Sequence, residues 1–329
     1  MTNIEIAEAI KDTNMYELAC KTNAELDLTD SEKVTVSQLD AYFKKVGERG
    51  ADPEHEIAAF VKKAINEEIY NAPDELLDYL FNRDNIGEFD DFEGVTDPKN
   101  TLVAYETAKG ANVKRSFLDI GVLKPAWFNL QIESDISYKD LRKNGWKSVA
   151  VLTENAVAAF KNKMFKIIFD KIDAGITSGA ENFITVGGTA MTQAAADALA
   201  LYVNDRADGD GVIVGKSAYI QQMSKLNGFA SDEMKNEVHC TGRLGSYDGC
   251  EMFPISSAKK LGDGSAVFPD KRVYGIAGQI GSLSMKGETS VYETMDNNNE
   301  SVHLKFADFT FGVAFNKDTL EKVVKAELQ

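Results

Sequence analysis

The chain has 329 residues, 43% hydrophobic and 27% charged, with 18 Phe and 11 Tyr, a composition that excludes disordered and collagen-like classes and supplies a packed core. Its formal charge of −16 is uneven: residues 1–94 hold 23 acids against 9 bases, whereas 98–171 hold 13 bases against 7 acids, and nucleic-acid binding by the whole surface is disfavoured. Three cysteines, Cys20, Cys240 and Cys250, are too few and too scattered for a disulfide framework and point to a reducing compartment.

The first twenty residues, MTNIEIAEAIKDTNMYELAC, carry acids where an export signal needs a basic start, and they read as an amphipathic helix over 3–20. Further short helices are expected over 37–46, over 53–70 with Asp52 as N-cap and Pro53 at the first helical position, and over 73–81. The tract EFDDFEGVTDP then reads as an exposed connection. No window reaches the roughly 18 consecutive apolar residues of a membrane span, because Lys or Asp interrupts even IIFDKIDAGI, so a soluble chain is expected.

From residue 101 the period changes. TLVAYETAKGANVKRSFLDIG holds two extended runs around Lys109, Gly110, Ala111 and Asn112, the pattern of a long hairpin with polar flanks that needs another surface to lie on. Thr153 is expected to cap a helix over 154–174, about 31 Å long, with Val157, Phe160, Met164, Ile167, Ile168 and Ile172 on one stripe and lysines around the rest. Residues 183–260 alternate short strands and helices: FITV, a helix over 190–203, the strand VIV and a helix over 217–226. Residues 273–316 are strongly β. There SVHLKFADFTFGVAFN changes parity between Phe306 and Phe309, which predicts a bulge near Ala307 and Asp308.

The chemical motifs are weak. DGVIVGKS, residues 210–217, has Asp210 where a phosphate loop needs its first glycine, and it reads as a buried strand ending in a turn. Asp205, Asp208 and Asp210 read as a solvated loop, since the calcium register has Ser217 where a bidentate Glu belongs. His239, Cys240 and Cys250 lack a fourth ligand and zinc spacing. With only His55, His239 and His303 and no nucleophile elbow, no hydrolase triad emerges. No catalysis, metal or cofactor is expected, and the chain reads as a structural protein.

The order of elements, a helical arm, an extended hairpin, a long helix, an α/β subdomain and closing strands, resembles the tailed-bacteriophage major capsid proteins of the Hong Kong 97-type fold. TENAVAAFKNKMFKIIFDKIDAGI looks like the spine helix of that family, and GVIVGKSAYIQQMSKL like the strand and helix of its axial domain. GRLGSYDGCEMFPIS and FPDKRVYGIAGQIG look like its glycine-bearing axial strands and the return into the peripheral domain. The resemblance covers about residues 95–329. It implies an α+β fold with an acidic helical N-arm over 1–94, an E-loop hairpin over 95–120, a peripheral domain with the spine helix over 121–184, an axial domain over 185–270 and return strands over 271–329.

It further implies a major capsid protein that self-assembles through pentamers and hexamers into an icosahedral shell around a double-stranded DNA phage genome. Such a virion protein would be assembled in the host cytoplasm. Its partners would be other copies of itself, scaffolding, portal or decoration proteins, and packaged DNA held without sequence-specific contacts; no membrane is implied. Two other readings stay open, an encapsulin-like compartment of the same fold and a cytosolic α/β enzyme. At the hairpin, Lys109, Gly110, Asn112, Lys114 and Arg115 are expected to meet a neighbouring subunit, with Gly110 supplying a positive φ. The acidic arm is expected to lie across the basic 98–171 surface of adjacent subunits by salt-sensitive charge pairing, with apolar docking through Ile57, Phe60, Ile65 and Leu77 or a solvated tether facing the lumen as the alternatives.

Overall fold

The computed structural model describes residues 10–11, 13–49, 57–72, 74–90, 95–99, 102–106, 115–116, 119–207, 211–226, 245–296, 298–315 and 317–329. Its helices begin where side chains satisfy the open backbone amides of the first turn. Asn14 accepts from Glu17 N and opens α1, Met15–Asn23. Thr29 and Glu32 form a capping box, Thr29 N to Glu32 Oε2 at 2.7 Å and Glu32 N to Thr29 Oγ1 at 3.3 Å, at the start of α2, Asp30–Arg49. α3, Ala58–Asn66, runs into a π-helical turn, Glu67–Asn71. The Arg83 guanidinium donates to the carbonyls of Ala72 at 3.0 Å and Ile69 at 3.3 Å, satisfying acceptors around that turn. Asp74 then caps α4, Glu75–Leu80, which passes directly into strand β1, Phe81–Ile86. The expected caps Asp52 and Pro53 lie outside the described residues; at α3 the cap is supplied from afar, because Glu293 Oε2 accepts from Ile57 N at 2.7 Å and Ala58 N at 3.0 Å.

Strands β2, Val95–Lys99, and β3, Asp119–Leu123, pair antiparallel from Val95↔Leu123 to Lys99↔Asp119. β4, Ala126–Ser137, and the short α5, Tyr138–Asn144, lead to the longest helix, α6, Trp146–Gly175. The helix expected from 154 therefore starts eight residues earlier. Gly145, at φ 53° and ψ −124°, makes the corner between α5 and α6, and Asp40 of α2 accepts from Trp146 N at 3.3 Å. An added Cβ at Gly145 would lie 2.0 Å from Asp40 Oδ1, so only glycine fits there. Thr153, read as the cap, is a buried mid-helix residue whose hydroxyl donates to Val149 O at 2.9 Å.

Two sheets flank this helix. In the first, β12, Ser301–Ala314, pairs along one edge with β4 and along the other with β11, Ser290–Asp296, and then β10, Gly281–Lys286, which in turn pairs parallel with β1. The expected bulge is present: the β12–β4 register shifts between Phe306 and Phe309, and Asp308 takes φ 65°. The extra residue keeps Val302, Leu304, Phe306, Phe309, Phe311 and Val313 all buried in one core.

The second sheet runs β5, Phe183–Val186; β13, Val323–Leu328; β9, Arg272–Ala277; β6, Gly211–Lys216; β8, Cys250–Ile255; and β7, Ser246–Tyr247, with α7, Gln193–Asn204, and α8, Ser217–Met223, against it. A one-turn helix α9, Lys317–Leu320, precedes β13. Both faces of this sheet are covered. Val212, Val214, Tyr274, Ile276 and Val323 face the core around α6, while Ile213, Val273, Ala277, Val324 and Ala326 face α7 and α8. At Gly275 the helix comes so close that a Cβ would lie 2.6 Å from Val203 Cγ2 and 2.7 Å from Leu199 Cδ2. Gly275→Val is therefore expected to lower stability by about 1–3 kcal/mol, read as an earlier urea midpoint with unchanged slope.

Candidate inter-subunit surfaces

The β2–β3 ribbon is the stem of the expected hairpin, and beyond it Val103 N donates to Ser116 Oγ at 3.4 Å. Lys109, Gly110, Asn112 and Lys114 lie outside the described residues; Arg115 is exposed. The flanks are less polar than the sequence suggested. Leu102, Val103 and Tyr105 remain 59%, 55% and 43% accessible, and Val122 on β3 is exposed as well. These apolar side chains stay largely exposed to solvent on their own chain. The apolar residues were visible in LVAYE, but local sequence cannot reveal how far the rest of the chain leaves them exposed.

The arm helices do not wait for a neighbour. Ile57, Phe60, Ile65 and Leu77 are buried in the same core as α6 of their own chain. Ion pairs frame that contact: Glu68 with Lys161, and Glu25 with Lys147 at 2.9 Å, while Asn23 Nδ2 donates to Glu154 Oε2 at 2.7 Å. This corrects the expectation of docking across subunits by charge, because burial of four large apolar side chains outweighs exposed pairs worth about 0–1 kcal/mol each. Amide exchange in α3 and α4 should accordingly stay slow at both low salt and 1 M salt. Loss of protection at 1 M would reinstate charge docking.

At the C-terminal end of α6 lies a polar cluster that ties the helix to the second sheet. Asp173 Oδ1 accepts from the Tyr274 hydroxyl at 2.7 Å, Lys325 Nζ at 3.0 Å and Arg272 Nε at 3.3 Å, and Arg272 also pairs with Glu327 at 2.7 Å. Lys325 is only 4% exposed and donates to the Asp173 carbonyl at 3.1 Å. Burial pushes the Asp173 carboxyl upward, but the bonds from Tyr274 and Lys325, with Arg272 alongside, hold it below the usual carboxylate range. Burial and the same carboxylate raise the Tyr274 hydroxyl.

Among the described residues, the motifs that suggested other chemistry do not converge. Residues 211–216 of DGVIVGKS are the central strand β6, with Lys216 paired to Asp270 at 2.8 Å and Ser217 Oγ donating to Ile255 O at 3.1 Å. Asp208, Asp210, His239 and Cys240 lie outside the described residues. Cys250 is buried and its thiol is pushed up to about 11, first by burial and then by Asp248. Among the described residues no group of His, Cys, Asp and Glu could hold a metal ion, and no helix is long and apolar enough to cross a membrane.

Comparison with known proteins now bears on this geometry. Residues 5–319 match a family described as "SPbeta prophage-derived putative capsid protein YonB". A comparison with curated proteins gives no match. Among solved structures, the chain is similar to the asymmetric unit of the bacteriophage PhiM1 mature capsid, with a TM-score of 0.50 and 12% identity over 75% of this chain and 86% of that one. It is also similar to a chain of Gordonia phage Cozz, with a TM-score of 0.52 and 12% identity over 75% and 84%. The structural likeness carries the fold, mixed α+β of the Hong Kong 97 type, and the family match carries the role. The chain belongs to the YonB family of prophage capsid proteins and is a major capsid protein that forms the shell of a phage virion.

Proposed function

We propose that copies of this chain assemble in the host cytoplasm, through pentamers and hexamers, into an icosahedral shell around a double-stranded DNA genome. Residues 95–120 serve as the E-loop, reaching over a neighbour and engaging it through Lys109, Gly110, Asn112, Lys114 and Arg115. Residues 121–184 form the peripheral domain with its spine helix, residues 185–270 the axial domain and residues 271–329 the return strands. Residues 1–94 form the N-arm, whose described helices α1–α4 pack in the same core as α6 of their own chain. Scaffolding, portal or decoration proteins join other copies as partners. DNA is enclosed without sequence-specific contacts, as a net charge of −16 favours containment over grip.

The observation that carries this reading is the ribbon with Leu102, Val103 and Tyr105 exposed beyond a stem of five residue pairs. Such a ribbon is marginal alone and is stabilised by lying on a second surface. Replacing the three with serine should leave thermal unfolding of the chain within a few degrees of wild type but abolish particles in negative-stain micrographs. Undiminished particles would remove the hairpin from the interface. Nuclease digestion tests the contents: particles from the native source should protect DNA, and particles filled with protein instead would overturn the genome-container reading.

A further inference from the structure

The turn after β1 presents a phenylalanine outward. Phe89 is 92% exposed between the exposed acids Glu88 and Asp90. The backbone that carries it is held: Asp90 N donates to Gly87 O at 3.1 Å, and Gly287 N donates to Ile86 O at 2.9 Å. A large aromatic presented to water on a hydrogen-bonded turn loses only side-chain entropy on binding, because the backbone is already ordered, which suits an anchor for association.

Elsewhere the chain has a groove of about 510 Å³ between α6, the first turn of α4 and the segment running from Phe253 to Phe268. Its floor is aromatic. Phe165 stacks on Phe169 with centroids 6.3 Å apart, and Phe268 meets Phe169 edge to face at 4.7 Å. A further ring fits edge-on into such a row. The rim carries both signs. Asp74 and Glu75 stand on the α4 side, where Asp74 accepts from Leu77 N and both charges face the positive end of that helix. On the opposite side stand the exposed Lys259 and, next to it, Lys260, which lines the adjoining hollow shared through Asn162. Lys161 at the base is already engaged by Glu68. The groove is thus an apolar slot with one acidic and one basic lip, and the Glu88-Phe89-Asp90 turn is an apolar ring with acidic shoulders that suit the basic lip.

We propose that Phe89 of one copy inserts into this groove of a neighbouring copy, with Glu88 and Asp90 against Lys259 and Lys260. The contact is between copies because the turn is pinned beside Gly287 at the far end of β1, about 20 Å of extended chain from α4. It rests on the shell reading above and adds a second contact, separate from the hairpin. Charge at the lip sets which copy and which register are accepted, while the ring supplies burial.

The test is charge reversal and its reciprocal in the full-length chain, with association followed by light scattering. Asp90→Lys and Lys259→Asp should each weaken association by about tenfold, and the double variant should return it to within about twofold of wild type. Phe89→Ala should weaken it at least as much, with an unchanged unfolding midpoint because the ring touches little of its own chain. A double variant no better than either single one, or a Phe89→Ala chain that associates as wild type does, overturns the contact. If shells still appear by electron microscopy in that case, the function proposed above stands without it. A wild-type chain that never associates at any salt or concentration overturns both.

Discussion

Phe309→Ala is expected to lower the unfolding free energy by about 3–5 kcal/mol, the range for emptying a large buried aromatic site. Phe309 is fully buried immediately after the β12 bulge. Its ring lies 5.0 Å from Phe160 of the spine helix, 5.8 Å from Phe311 and 6.1 Å, edge to face, from Tyr70 in the π-helical turn. One side chain therefore joins arm, spine and sheet, and each partner is itself held by other elements, so the cavity cannot close by a local shift. Urea denaturation followed by circular dichroism measures the loss. A cost under about 1 kcal/mol would mean that the arm and the sheet are only loosely joined. Phe128, half-buried at the rim and stacked on Phe311 at 5.4 Å, provides the contrast, and its truncation should cost clearly less.

Asp173→Asn should be nearly as damaging at neutral pH, at about 2–4 kcal/mol, because it leaves Lys325 buried beside Arg272 without a carboxylate. The pH dependence distinguishes this from a packing defect. The folded-state carboxyl titrates below its unfolded value of about 3.9, so its contribution is fully present above that pH and is lost as pH falls through the lower, folded value. The gap between wild type and Asp173→Asn should therefore be constant from pH 7 to about 5 and narrow below about 4. A gap that persists unchanged at acid pH would assign the effect to geometry alone. Lys325→Met is the matched control, since an apolar chain of similar length leaves Asp173 with Tyr274 and Arg272 and should cost less than Asp173→Asn.

Much of the middle and end of the chain was legible from periodicity. FITV and VIV became β5 and the core of β6, and the parity change in SVHLKFADFTFGVAFN became a bulge at Asp308. These features are local: alternation of apolar residues with period two, and its interruption by one residue, are properties of a few consecutive positions. The candidate site was legible only in outline. A hairpin was expected, and its stem is β2–β3, but the exposure of Leu102, Val103 and Tyr105 depends on what the rest of the chain leaves uncovered.

By itself, then, the sequence determined the class: an acidic α+β chain with a long amphipathic helix, a hairpin whose stem is β2–β3, and β-rich closing segments. Tertiary structure alone decided how the ends of those elements are capped and where the acidic segment goes. The spine helix begins at Trp146 because Asp40, more than a hundred residues earlier, accepts its first amide, and α3 begins at Ala58 because Glu293 does the same. No window of neighbouring residues contains such a partner. The direction of the arm was likewise hidden, since net charge counts residues without regard to the side they face. Its buried apolar side chains, Ile57, Phe60, Ile65 and Leu77, carry the described arm helices onto α6 of their own chain.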